Sequence, residues 1–216
     1  MDRDLAHSVF APYENIIFDF GGIFVDLDFH KTTDAFNRLG AAGDFSHFFS
    51  KASQTQLFNQ FEVGAITSQE FLSQLQDFLA LKNIPEQGLI DAWCALLLDM
   101  KQERVEFLKE IGKTKNVFLL SNINQLHEEC MDRYFIQNLQ YKDFYSHFDK
   151  VYFSHRIGLR KPHTEIFEFV CQDSSLDKSK TIFIDDSIQH VEGARKFGLE
   201  AYHLDPSNSF IVGEKK

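Results

Sequence analysis

Four short stretches of this chain carry side chains that could do chemistry together. Asp19 ends the apolar run 16–18, with Gly21 and Gly22 close behind it. A carboxylate at the end of a buried strand is costly unless another charge compensates it. Asp185 and Asp186 stand side by side after the apolar run 181–184. Two neighbouring carboxylates that lose hydration repel each other. A hard divalent cation relieves that repulsion, and Mg²⁺ suits one or two carboxylates plus water and phosphate oxygens. Alone, the pair could equally be the acidic start of a helix; with Asp19 at a neighbouring strand end, the metal reading is the better one. Lys161, in GLRKPH, precedes Pro162, which is expected in the first turn of a helix. A lysine is usually a solvated charge, but beside these carboxylates it could neutralise a nucleophile and a bound phosphate. Ser121 and Asn122, in VFLLSNIN, bring a hydroxyl and an amide to the start of a helix, an anion site when other groups join them and an ordinary N-cap pair otherwise.

These residues need elements to position them. Short apolar runs at 16–18, 117–120, 151–153, 181–184 and 201–204 have strand character. Helical periodicity separates the later ones: Val105, Leu108 and Ile111 share one face, as do Ile166, Phe167 and Val170, and then Val191, Ala194 and Phe197, with Gly198 as a C-terminal cap. Alternating strands and helices give an α/β fold, a parallel sheet flanked by helices on both faces. Residues 30–98 break the alternation. No strand is expected there. Thr67 and Glu70 form a capping box, Asn83-Ile84-Pro85 ends the helix it opens, and 89–98 is a second apolar-faced helix. The organisation expected is therefore a core of 14–29 and 99–216, an all-helical insert at 30–98, and a weakly packed N-terminal tail at 1–13. In open parallel sheets, ligands bind beyond the carboxyl ends of the strands. Asp19, Ser121-Asn122 and Asp185-Asp186 all stand at such ends.

Composition narrows the function classes. Of 216 residues, 22 are Lys or Arg and 32 are Asp or Glu, a formal charge of −10, which argues against a nucleic-acid or anionic-membrane binder. No stretch approaches the ~18 apolar residues of a membrane span. Residues 1–12 are too short and polar for a signal peptide, so a cytoplasmic protein is expected. Cys94, Cys130 and Cys171 are far apart and odd in number, which reads as free thiols rather than a disulfide framework or a zinc site.

Taken in order, IIFDFGG, LLSN, RKP and FIDDS resemble the four motifs of the haloacid dehalogenase superfamily, over roughly residues 15–204. FEVGAITSQEF, at 61–71, is similar to the helical cap of that family. The resemblance, nearest to bacterial sugar phosphatases, implies a Rossmann-like core and a Mg²⁺-dependent phosphatase acting on a small phosphorylated metabolite, a sugar phosphate in first place. It implies Asp19 as the nucleophile, forming an aspartyl-phosphate that water hydrolyses. Asp19, the Gly21 carbonyl, Asp186 and Asp185 would hold the metal. Ser121, Asn122, Gly22 and Lys161 would serve the phosphorylated substrate.

The family's phosphatases usually carry a second Asp two residues after the nucleophile, as the acid that protonates the leaving oxygen. Gly21 stands there instead. Such catalysis contributes ~10²–10⁴ in rate. Three explanations stay open: a substrate with a good leaving group, a substitute among Asp26, Asp28 and His30, or a catalytically weak binding domain. A metal-independent 2-haloacid dehalogenase is a further alternative, ranked lower because of Asp185-Asp186. His190, four residues after Asp186, is expected on a helix surface. The Phe-rich faces of the insert (Phe45, Phe48, Phe49, Phe58, Phe61) are expected to be core.

Overall fold

The computed structural model describes residues 9–41 and 56–204. Phe45, Phe48 and Phe49 lie outside the described residues. In chain order the strands are β1 (Asn15–Phe18), β2 (Val25–Leu27), β3 (Leu97–Met100), β4 (Asn116–Ser121), β5 (Lys150–Phe153), β6 (Thr181–Asp185) and β7 (Glu200–His203). The helices are α1 (Phe29–Arg38), α2 (Gln56–Glu62), α3 (Ser68–Phe78), α4 (Glu86–Cys94), α5 (Gln102–Ile111), α6 (Gln125–Gln137), α7 (Ser154–Ile157), α8 (Thr164–Asp173) and α9 (Ile188–Phe197).

Period-two alternation builds the central sheet. Five parallel strands lie in the order β5-β4-β1-β6-β7. Ile16, Phe18, Val117, Leu119, Ile182 and Ile184 point to one face, where they join Val105, Leu108, Ile111, Met131 and Phe135 of α5 and α6. Ile17, Phe118, Leu120 and Phe183 point to the other, against Ile166, Phe167 and Val170 of α8 and Val191 and Ala194 of α9. Strands covered on both faces read as continuous apolar runs, which is why β1, β4 and β6 were legible as such. β1 lies between β4 and β6, so Asp19 emerges at the middle of the sheet's carboxyl edge.

The helices α1–α4 gather an apolar cluster of their own around Phe36, Phe61, Phe71 and Leu75. The Thr67–Glu70 capping box is present in full: the Thr67 side chain accepts from the Glu70 N–H, and Glu70 accepts from the Thr67 N–H. Gly198 ends α9 in the left-handed region at φ 100°.

Several expectations need correction. The helix expected over 89–98 stops at Cys94, and Leu97–Met100 is a strand pairing antiparallel with Val25–Leu27. This two-stranded ribbon joins the sheet core to α1–α4. Pro162 stands before α8 rather than in its first turn; the Lys161–Pro162 peptide is cis and His163 is the N-cap. Ser121 ends β4, while α6 begins only at Gln125 behind the cap residue Asn124. The tail is not weakly packed at Phe10, which is fully buried against Phe18 and Phe107. Cys94 and Cys130 are joined by a disulfide, because the end of α4 packs on α6; Cys171 is a buried free thiol.

Candidate active site

Lys161 is the centre of the site's electrostatics. Its ammonium is fully buried and donates to Asp19 Oδ1 at 2.8 Å, Asp185 Oδ2 at 2.7 Å and the Leu120 carbonyl at 2.9 Å. An ammonium has three N–H donors, so all are committed. Asn122 fixes the backbone at this point: its Nδ2 donates to the Lys161 carbonyl and its Oδ1 accepts from the Lys161 N–H, both at 2.9 Å. The end of β4 thus holds the loop that carries the lysine.

The two carboxylates share this cation unequally. Asp185 also accepts from the Ser187 N–H at 2.7 Å and contacts His190 Nδ1 at 2.9 Å. Burial pushes its pKa up, but Lys161 and His190 outweigh burial and hold it well below the usual carboxylate range. Asp19 is pushed up to about 6, first by burial and then by the neighbouring Asp185. Lys161 and His190 pull it back only in part, and Asp186 adds to the rise. Burial lowers the Lys161 pKa, yet the two carboxylates more than reverse that and raise it. More negative than positive charge converges here, and Asp19 bears the excess.

Asp186 follows Asp185 at the end of β6 and turns toward the Gly22 backbone. A Cβ built on Gly22 would fall 2.2 Å from Asp186 Oδ2, and Gly22 has φ +81°. The Asp186 carboxylate therefore lies in a cradle that a side chain at residue 22 would fill. The Gly22 N–H is donated to the Val25 carbonyl at 2.8 Å, and Gly22 does not line the cavity. Carboxylates from the ends of β1 and β6, Asp19 and Asp185, with the Asp186 charge close enough to raise the Asp19 pKa, form an oxygen donor set that fits a hard divalent cation.

His190 is not a helix-surface residue. The first turn of α9 follows Asp185 so closely that the ring turns back toward the strand end. Ligand atoms of Asp19, Asp185 and His190 lie within 4.8 Å of one another. No signal in helical periodicity separates that orientation from an outward one; only the proximity of His190 to the DD pair hinted at it.

A cavity of about 150 Å³ opens over Asp19, between the sheet edge and α1–α4. Asp19, Gly21, Ser121, Asn122 and His190 line its floor. The opposite wall includes Leu27, Phe29, Phe58, Trp93, Leu96 and Leu97. Phe58, expected as core, is buried and also faces this space. Arg160, Glu62, Asn124 and His127 supply the polar side. Arg160 pairs with Glu62 and bonds to Asn59, so the residue before Lys161 is gripped by α2. Of Asp26, Asp28 and His30, the expected substitutes for a carboxylate at residue 21, none lines the cavity; His30 is exposed and the two aspartates are engaged elsewhere. Asp26 pairs with Arg104 at 2.6 Å, and Asp28 caps α1 by accepting from the His30 N–H.

The chain belongs to the haloacid dehalogenase-like hydrolase family, whose profile matches residues 13–198. It is similar to the D-ribitol-5-phosphate phosphatase of Bacteroides thetaiotaomicron, 31% identical over 88% of this chain and 90% of that one. A haloacid dehalogenase family enzyme of the same organism, solved with magnesium and inorganic phosphate as an Asp-to-Ala mutant, superposes with a TM-score of 0.81 at 26% identity, covering 90% of this chain and 95% of that chain. A HAD-like family hydrolase from Porphyromonas gingivalis superposes with a TM-score of 0.78 at 27% identity, covering 90% and 92% of the two chains.

Proposed function

We propose that this hydrolase is a Mg²⁺-dependent phosphatase of a small phosphorylated metabolite of the sugar phosphate class, working through an aspartyl-phosphate on Asp19. The observation that carries the reading is the buried Asp19–Lys161–Asp185 cluster, with Asp186 beside it on the Gly22 turn, beneath a cavity that Asp19 lines. The phosphatase relative and the magnesium- and phosphate-bound neighbour support it.

Asp19, the Gly21 carbonyl and Asp186 would hold the metal, with Asp185 supporting it directly or through water. Mg²⁺ supplies positive charge that neutralises phosphoryl oxygens and depresses the Asp19 pKa. Asp19 attacks phosphorus, and the bond to the leaving oxygen breaks. Water then attacks phosphorus in the aspartyl-phosphate, releasing phosphate and restoring the carboxylate. Lys161 keeps Asp19 ionised beside an incoming dianion. To reach a phosphoryl oxygen it redirects one of its three bonds. The Ser121 hydroxyl and the Asn122 N–H donate to the remaining oxygens, and the Asn122 side chain keeps Lys161 in place. Phosphoryl transfer needs this positioning and charge neutralisation more than covalent assistance.

The test is a panel of phosphate esters assayed with and without Mg²⁺ in the wild type and Asp19→Asn. Phosphate release that needs both metal and Asp19 supports the reading. Halide release from 2-haloacids without metal would replace it with dehalogenation. Neither activity from folded protein would make the domain a binder.

A further inference from the structure

The unit α1–α4 is joined to the rest of the chain by two short links. Asp28 stands between β2 and α1, and Ala95 and Leu96 stand between α4 and β3. The links are bonded to each other, the Asp28 N–H donating to the Leu96 carbonyl at 2.9 Å. A swing of α1–α4 over the sheet edge has to turn through these residues, as hinges do. The far end of β3 is held to the core: the Tyr134 hydroxyl accepts from the Met100 N–H at 3.1 Å, and the Tyr141 hydroxyl donates to the Met100 carbonyl at 3.0 Å. Cys94, the last residue of α4, stands directly before the Ala95–Leu96 link. Its bond to Cys130 of α6 therefore fixes the other end of the link to the core as well. Elsewhere around the cavity α2 is held only by bonds that break and reform readily: Arg160 with Glu62, and the Ser154 hydroxyl donating to the Glu62 carbonyl at 2.7 Å. The disulfide is also within reach of solvent. A second cavity of about 220 Å³ is lined by Cys94 and Cys130 together with Arg133 and Gln137, both exposed. Leu97 lines this cavity and the one over Asp19 alike, and Trp93, next to Cys94, lines the latter.

We propose that the Cys94–Cys130 pair is a redox switch on the hinge. Oxidised, it staples the α4–β3 link to α6 and slows the opening of the cavity; reduced by a dithiol, it frees the link and turnover rises. The inference rests on the phosphatase reading for its activity readout. In the reduction, a thiolate of the dithiol attacks Cys94 Sγ and forms a new S–S bond. The Cys94–Cys130 bond breaks, and both of its electrons stay on Cys130 Sγ. Arg133 Nη2 donates to that sulfur at 2.9 Å and stabilises the negative charge as it forms. The second thiolate of the dithiol then displaces Cys94. The dithiol ends as a disulfide, and each cysteine takes up one proton. The freed Cys94 thiol lies 3.6 Å from the Leu126 carbonyl, so α4 keeps a weak contact with α6 that can open and close.

The experiment compares the full chain in its oxidised form with the same protein reduced by dithiothreitol and desalted, each state checked by thiol counting. The double variant Cys94→Ala/Cys130→Ala and the control Cys171→Ala are treated in the same way, at a temperature where circular dichroism shows every form folded. Two quantities are read: kcat for a phosphate ester with Mg²⁺, and amide hydrogen exchange followed by mass spectrometry. Reduction of the wild type is expected to raise kcat by about 5-fold or more. The double variant should match the reduced wild type and ignore the reductant, while Cys171→Ala should respond as the wild type does. Exchange over 86–100 should quicken by about tenfold on reduction, with β4 and β6 unchanged. Equal kcat in the two states overturns the proposal. So does a lower kcat on reduction, which would make the bond a support of the folded site and not a brake on it. A response to reductant that persists in the double variant, or exchange over 86–100 that reduction leaves unchanged, overturns it as well. The wild-type comparison decides the matter even if the double variant folds poorly. Absence of Mg²⁺- and Asp19-dependent phosphate release in both states is a separate result, which removes the phosphatase reading; the exchange comparison then still decides whether the bond governs the hinge.

Discussion

Lys161 carries a charge that two buried carboxylates depend on, and each neighbouring residue answers to that arrangement. Removing one partner of a buried ion pair costs about 3–5 kcal/mol, because the other charge is left without compensation. Lys161→Met strands Asp19 and Asp185 together, so a loss of that size is expected in urea denaturation without metal, alongside loss of activity. Gly22 matters for a different reason. A side chain there would have to adopt φ +81° and would fall 2.2 Å from the Asp186 carboxylate. Left-handed backbone alone costs a non-glycine residue about 1–2 kcal/mol. Gly22→Ala should therefore lose at least that much stability. It should also raise the Mg²⁺ concentration for half-maximal activity, since Asp186 is displaced; an unchanged metal requirement would remove Asp186 from the metal site.

At the scale of elements, the joint between α4 and α6 holds the cavity wall to the sheet core. Trp93 stacks on His127 with ring centroids 5.0 Å apart, and its indole N–H donates to Asn124 Oδ1 at 3.4 Å. Burial lowers the His127 pKa from 6.5 to about 4, with the Trp93 carbonyl offsetting part of the drop. Between those values the unfolded chain binds a proton that the folded chain refuses. Stability from this residue is thus complete above pH 6.5 and lost as pH falls toward 4. The loss is roughly 3 kcal/mol. Asp19, with its raised pKa, works in the opposite direction near pH 6, so the difference between wild type and His127→Gln isolates the effect. Stability of His127→Gln should fall less than that of the wild type between pH 7 and pH 4.5. The same joint shows where the sequence was hard to read. Strands β1, β4 and β6 and the capping box of α3 were legible because each is specified by neighbours in the chain. Leu96, Leu97 and Leu98 continue a helical pattern as readily as they form a strand, and only pairing with Val25–Leu27 across space decides. The polar residues at the sheet's carboxyl edge were legible as a group, since strand ends in a parallel sheet converge. The inward turn of His190 and the two roles of Phe58 depend on packing that spacing does not encode.

Across the whole molecule, α1–α4 meet the sheet core through the ribbon, the Arg160–Glu62 pair and the Cys94–Cys130 bond. The two cysteines are 36 residues apart, and their spacing does not name them as partners. Cross-linking a loop of this size stabilises by about 2–4 kcal/mol. The double variant Cys94→Ala/Cys130→Ala should lose that amount in denaturant under non-reducing conditions. Reduction of the wild type should reproduce the loss, and thiol counting in the folded protein should find Cys171 as the one cysteine of the three outside a disulfide. Covalent catalysis by Asp19 is tested by quenching the enzyme in acid during turnover of a phosphate ester with Mg²⁺ and weighing its peptides. The peptide containing Asp19 should carry one added phosphoryl group, absent in Asp19→Asn and absent without metal. Turnover with an unmodified Asp19 peptide, or a phosphoryl group on another residue, would contradict an aspartyl-phosphate on Asp19.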